Sequence, residues 1–393
     1  MALSSAGGGE KQMEKEIVTE MEMEDEEERR RGHKIERVVV DGATTRKKRD
    51  PVAEEWAKKQ MAEVRRRAKE EDERFMVEFG AKYPDEQDWS DMLAVKARLH
   101  RDHWESVWAD PFGSFDDTTR IPPMRFTDQP APSHARVQDT LQIFSVKIKE
   151  TGRGLQWPLQ VFGMVAARDP VDHNRNVIFN RERNNCQILT QEDPVLKLTG
   201  PTRAVVVCDP VYFEVELKVK GFVEAEDKDL SLLAVALTDH SSIYSTCLIS
   251  KAYTSKLSTL ELKFGYVLSS VEATISVCVT EGSWPDDVFG RYTAQTSSLE
   301  DMPVLLLEFE KIPVDDDGRI KLSRRVASVE FEGELKVYVS AFRYDKDLDK
   351  IIMVGEDEKG FRPKKAGKSS STLDVGFCKM DVTVAWSILS LSP

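Results

Sequence analysis

Val211-Tyr212-Phe213-Glu214-Val215-Glu216-Leu217-Lys218-Val219-Lys220-Gly221 (VYFEVELKVKG, 211–221) alternates along most of its length between apolar and polar side chains. Successive side chains of an extended chain point to opposite faces, so Phe213, Val215, Leu217 and Val219 share one side. Tyr212, Glu214, Glu216, Lys218 and Lys220 share the other. The pattern predicts a strand with one face packed and the other in water. Glu214 and Glu216 therefore read as surface charges rather than a catalytic carboxylate pair, since no enclosing cleft is visible to raise a pKa.

The same period recurs on both sides of this stretch. Leu141–Ile148 (LQIFSVKI), Val271–Val277 and Val329–Val337 alternate, and further strands are expected over 232–238, 258–268, 303–309, 350–354 and 375–386. The run GLQWPLQVFGMVAARD (154–169) reads as a strand edged or interrupted by Pro158, because proline cannot donate to a sheet ladder. Half-buried strands at this density, with few helices between them, predict mainly antiparallel sheets folded face to face or partly closed. The fold class is mainly β: an antiparallel β-sandwich-like domain preceded by a short helical region and a disordered charged N-terminal arm. One sandwich over 138–390 is the preferred organisation, and two meeting near 222–232 is the alternative.

The chain ahead of the strands has a different composition. Residues 1–80 carry 21 acidic and 18 basic side chains, a mixed polyampholyte with too few apolar groups to offset the entropy of ordering. Residues 1–50 are read as the disordered arm. Within it Arg46-Lys47-Lys48-Arg49 has the composition of a nuclear-import or polyanion-binding patch, or of an ordinary solvated charge run. Residues 51–110 form a helical neck with coiled-coil character, opened by Pro51 at a position suited to a first helical turn. A second neck helix is expected from about Asp88 to Trp108, with Met92, Leu93, Lys96, Leu99, His103 and Val107 near one side. This pair of helices is expected to dock on the β domain in cis, since repeated tryptophans need a formed core. Residues 111–137, rich in Pro, Asp and Thr, read as a linker or ordered strap.

Composition limits the function. A net charge of −13 over 393 residues is unfavourable for a general nucleic-acid binder, which needs a concentrated basic footprint. No apolar run approaches the length of a membrane helix and no export signal is visible at the N-terminus. The expected location is intracellular, cytoplasmic with nuclear entry through Arg46–Arg49. Five scattered cysteines without CxxC spacing read as reduced structural thiols. His100 and His103 could share one helical turn as ligands, but no third ligand follows at suitable spacing.

Chemistry-bearing motifs are sparse. No catalytic residues, resident metal or cofactor are assigned. Phosphate loops, serine-nucleophile elbows and HExxH pairs do not occur. Asp315, Asp316 and Asp317 before Gly318, with Asp345 and Asp347, could supply oxygen ligands to calcium at one end of a sandwich, although Asp-Gly is also ordinary hairpin chemistry. Arg168, Asp169, His173 and Asn174, crowded at the end of a predicted strand, are the candidate polar pocket.

LQIFSVKIKE (141–150), WPLQVFGMVAARDPVDHNRNVIFNR (157–181) and LTGPTRAVVVCDPVYFEVELKVKG (198–221) together resemble an uncharacterised domain family of cereal grasses, DUF6598-like, over about residues 135–390. Some relatives are fused to a ribosome-inactivating N-glycosidase domain, which implies stress or defence biology by association. That toxin domain's adjacent Glu and Arg have no counterpart here, as Ala166-Ala167-Arg168 lacks the preceding Glu. The resemblance brings no catalytic residues with it. The expected function is a non-enzymatic protein-interaction or regulatory module with a protein partner and no inserted membrane segment. The alternatives are an enzyme acting on nucleic acid or carbohydrate, and a calcium-dependent lipid-binding β-sandwich.

Overall fold

The computed structural model describes residues 91–391 apart from 153, 209 and 238–244. The charged arm, the first neck helix and the Arg46–Arg49 block lie outside the described residues. The chain divides into two compact units, 1–85 and 86–393, and the described residues all belong to the second.

This unit begins with helix α1, Met92–Phe112, started by Asp91, whose carboxylate accepts from the Ala94 N–H at 3.3 Å. The helix stops at Gly113, held at φ +99°, where a Cβ would meet the Asp117 carboxylate at 2.6 Å. Its packed side differs from the expected stripe. Leu93, Ala97, His100, Trp104 and Trp108 follow one another every three or four residues and are buried or half-buried, whereas His103 and Val107 are exposed. A small alanine and a histidine belong to the packed face, which a count of large apolar residues passes over.

Sixteen strands follow among the described residues: β1 Gln138–Thr151, β2 Leu159–Arg168, β3 Asn176–Arg181, β4 Gln187–Leu189, β5 Val205–Val206, β6 Val211–Val219, β7 Lys228–Leu237 and β8 Cys247–Thr254. Then come β9 Ser258–Gly282, β10 Val288–Thr296, β11 Val304–Phe309, β12 Val326–Glu330, β13 Leu335–Asp345, β14 Lys350–Phe361, β15 Ala366–Asp374 and β16 Cys378–Ser387. Every ladder between them is antiparallel. The fold is mainly β, with one helix ahead of the strands. No described helix is long and apolar enough to cross a membrane.

Three sheets enclose two large apolar cores, and a small third cluster gathers Val171, Ala204, Val206 and Leu389. The sheet β3-β2-β6-β7, with β4 beside β2, covers the first core together with β1 and the first half of β9. The sheet β11-β10-β13-β14 covers the second, together with the last half of β9, β12, β15 and β16. β9 serves both: 25 residues at about 3.3 Å each span roughly 80 Å. Between its two halves Ser269 sits at φ +44° and the pairing with β1 slips between Gln138 and Thr140. Residues 222–232 lie inside the first core's sheet, between β6 and the middle of β7.

The run Val329–Val337 is not one strand. β12 ends at Glu330 and β13 begins at Leu335, with the Gly333 N–H donating to the Glu330 carbonyl across a tight turn. Alternation continues through the turn residues, so period alone could not see the break. Residues 113–137 run as a strap across both cores. The Met124 N–H donates to Glu272, the Phe126 N–H to the Ser387 hydroxyl, and the Thr127 hydroxyl to the Trp386 carbonyl.

Candidate functional site

The densest polar chemistry lies where α1 and the strap cross the outer face of β2 and β6. Ala166 pairs with Glu214 and Arg168 with Tyr212, so Arg168 and Glu214 are diagonal neighbours on that face. Arg168 Nε donates to Glu214 Oε2 at 2.8 Å, Nη1 to the His173 carbonyl at 3.0 Å and Nη2 to the Phe115 carbonyl at 2.6 Å. The guanidinium lies 4.0 Å from the Phe115 ring centroid. Arg175 grips the other side of Glu214, through Nε at 3.0 and 3.1 Å and through Nη2, and reaches Asp116 at 2.9 Å. Asp116 in turn pairs with Arg101 of α1 at 2.7 Å.

Glu214 is thus not a surface charge. The polar face of β6 meets water only beyond it: Glu214 is 6% exposed, its carboxylate closed over by the Arg168 and Arg175 guanidinium groups, while Glu216 is exposed. A carboxylate so placed needs charge-assisted partners, and two arginines provide them.

A second group adjoins the first. Arg203 donates to Asp169 Oδ2 at 2.6 Å and Oδ1 at 2.8 Å, and to Asp172 Oδ1 at 2.9 Å. Asp169 also accepts from the Val206 N–H, and Asp172 from the Thr119 hydroxyl. Three guanidinium groups (Arg168, Arg175 and Arg203) therefore face three carboxylates (Asp169, Asp172 and Glu214). Burial pulls the Arg168 pKa down, partly offset by Glu214. At Arg203 burial acts in the same direction, but the two aspartates outweigh it and the pKa stands above the ordinary value.

The histidine and asparagine of the loop between β2 and β3 seat the helix. His173, at φ +52°, offers its carbonyl to Trp104 Nε1 at 2.8 Å, and its ring stacks on Trp108 at 3.8 Å. Asn174 Nδ2 donates to the Phe112 carbonyl at the end of α1. His100 stacks on Tyr212 at 4.2 Å; burial first, and the nearby Arg168 charge second, push its pKa down to about 4. Its Nε2 is buried without a hydrogen-bond partner.

The structure brings Arg168, Asp169, His173 and Asn174 together, but as the platform under α1 rather than as the lining of a cleft. The adjacent cavity, bounded by Val171, Arg203, Glu272 and the strap, holds about 20 Å³, room for about one water. Larger hollows lie elsewhere among the described residues. One of about 350 Å³ lies between the start of α1 and β7, and one of about 480 Å³ beside β2 and the end of β6. Sequence reasoning passed over Arg175, Arg203, Asp172 and Glu272. The first three sit in segments without alternation, so no pattern marked them as buried. Glu272 does lie in an alternating run, yet its carboxylate is buried and accepts from the N–H groups of Met124 and Ala204; burial raises its pKa against those bonds.

The acidic loops use their oxygens locally. Asp315 Oδ1 accepts from the N–H groups of Asp317 and Arg319, and Asp345 Oδ1 from those of Asp347 and Leu348. Asp316 is exposed beside them. Among the described residues no group of three or more His, Cys, Asp or Glu side chains is arranged to hold a metal ion.

A family model described as a domain of unknown function (DUF6598) matches residues 140–384. No curated protein matches the chain. Among solved structures, the C2A and C2B domains of Extended-Synaptotagmin 2 align over 70% of this chain and 100% of theirs, at 8% identity and a TM-score of 0.23. Human GIVD cytosolic phospholipase A2 aligns over 65% of this chain at 8% identity and a TM-score of 0.20. The chain spans 33% of that phospholipase's length. At these scores neither likeness bears on what this chain does.

Proposed function

The chain belongs to the DUF6598 family, a domain of unknown function, and we propose that it acts as a non-enzymatic protein-interaction or regulatory module. In this reading the charged region ahead of α1 recruits a partner and the β body supplies a rigid surface. One observation carries it: the constellation closest to a catalytic site is closed by its own ion pairs, beside a cavity of about 20 Å³. General acid–base or nucleophilic work needs a group that can reach a substrate atom. Here Glu214, Asp169 and Asp172 are saturated by guanidinium groups, and the ordered loops hold α1 in place. The module would work inside the cell, with Arg46–Arg49 as its nuclear-import patch and a stress or defence setting by family association.

Quantitative pull-downs from native extract test this, comparing the full chain with one starting at residue 86, the start of the second compact unit. The full chain is expected to recover a defined partner that the shorter chain loses. Equal recovery by both, or none by either, overturns arm-dependent recruitment. Turnover of a nucleic acid or glycan by the purified full chain overturns the non-enzymatic reading.

A further inference from the structure

β8 pairs with β9 from Cys247 opposite Tyr266 to Thr254 opposite Thr259, without a bulge. On the side away from β9 its backbone forms no hydrogen bond among the described residues. Other edges of the molecule are covered. α1 packs along β7, and the Ile178 carbonyl of β3 accepts from the N–H groups of Thr199 and Gly200. The Leu306 carbonyl of β11 accepts from the Arg324 N–H, and the Ser328 N–H of β12 donates to Gln142 Oε1. β14 and β15 lie side by side, with the Asp374 N–H donating to Asp357 Oδ2 between them. The open edge of β8 therefore presents a row of unpaired N–H and C=O groups, and the geometric complement of such a row is another extended chain.

The side chains of β8 indicate which extended chain fits. Ile249, Lys251 and Tyr253 pair with Phe264, Leu262 and Leu260 of the first core, so the three share the core-facing side. They are only half-buried, because the sheet stops at β8. Leu248, Ser250, Ala252 and Thr254 face outward, exposed and uncharged. Lys251 is the strand's single charge, and it makes no ion pair among the described residues. An inward-pointing lysine on an edge strand discourages indiscriminate pairing. It also disfavours a second copy: a two-fold pairing of β8 with itself over most of its length sets the two Lys251 side chains directly or diagonally opposite. A strand with a carboxylate facing Lys251, and an apolar residue two positions to either side, meets all three side chains. Its apolar groups would cover the half-exposed sides of Ile249 and Tyr253. We propose, resting on the reading of the chain as a protein-interaction module, that β8 takes up an extended protein segment by strand addition. The segment carries the pattern apolar-x-acidic-x-apolar opposite Ile249, Lys251 and Tyr253.

The probe is the capped peptide Thr-Val-Thr-Glu-Thr-Val-Thr, whose pattern reads the same in either direction, added to the full chain. Hydrogen exchange is expected to show new protection in residues 247–254. The same peptide with lysine in place of its glutamate should bind about three-fold or more weakly. Lys251→Glu should reverse that preference and Lys251→Gln should abolish it, with the thermal unfolding midpoint unchanged in both. No protection of β8 at about 1 mM peptide overturns the proposal and leaves Lys251 as a guard of the edge alone. So does protection that falls outside β8, or a peptide preference indifferent to the Lys251 substitutions. Protection of β8 that grows with protein concentration in the absence of peptide assigns the edge to a second copy, and also overturns it. The peptide assay does not involve the charged region ahead of α1. Strand addition at β8 can therefore hold where arm-dependent recruitment fails, and the reverse.

Discussion

Glu214 of β6 and His100 of α1 lie in one buried seam, and their chemistry is set by the crossing of helix and sheet rather than by either element alone. Removing one partner of a buried ion pair leaves an uncompensated charge, which is why Arg168, Arg175 and Glu214 act as a unit. His100 gives that burial a measurable sign. Its folded pKa of about 4 lies below the ordinary 6.5, so between those values the unfolded chain binds the extra proton. Stability therefore falls as pH drops from 6.5 towards 4, by roughly 3 kcal/mol at most. In His100→Phe, which can still stack on Tyr212, urea unfolding followed across that window should lose this part of the slope. An unchanged slope would mean that His100 titrates as it does in the unfolded chain.

α1 is an element whose own propensity matters less than what it covers. Trp104 is 2% exposed and binds the His173 carbonyl, and Trp108 lies on the His173 ring. Most helical stability in proteins comes from tertiary packing rather than propensity, and α1 ends over Pro111, so docking holds it. Trp104→Ala should cost about 3–5 kcal/mol of unfolding free energy. Hydrogen exchange of residues 92–112 should accelerate before that of β6. Exchange that accelerates equally in both would mean that the helix does not open ahead of the sheet. The register of β6 was legible because both of its faces carry a consistent pattern. The packed side of α1 was not, because Ala97 and His100 contribute through close approach and stacking rather than size. Likewise the turn at Phe331–Glu334 keeps strand-like alternation, and only the pairing of β12 with β9 and of β13 with β10 and β14 separates them.

Over the whole molecule, β9 makes two cores one structure. Phe213 and Phe264 meet at 5.2 Å in the first, while Trp386 is fully buried in the second, and the same strand floors both. Phe213→Ala and Trp386→Ala should each lower stability by about 3–5 kcal/mol. Circular dichroism and tryptophan fluorescence should still report one coincident transition for each variant. Two separated transitions would show that the cores unfold independently despite the shared strand. The sequence by itself determined the mainly β class and the antiparallel sheets, because period-two alternation is a local consequence of backbone geometry. Only the tertiary structure decided which polar residues are buried. Burial of Arg168, Arg203, Asp169 and Glu214 depends on a helix and a strap that cross strands distant in sequence, and no local pattern records that crossing.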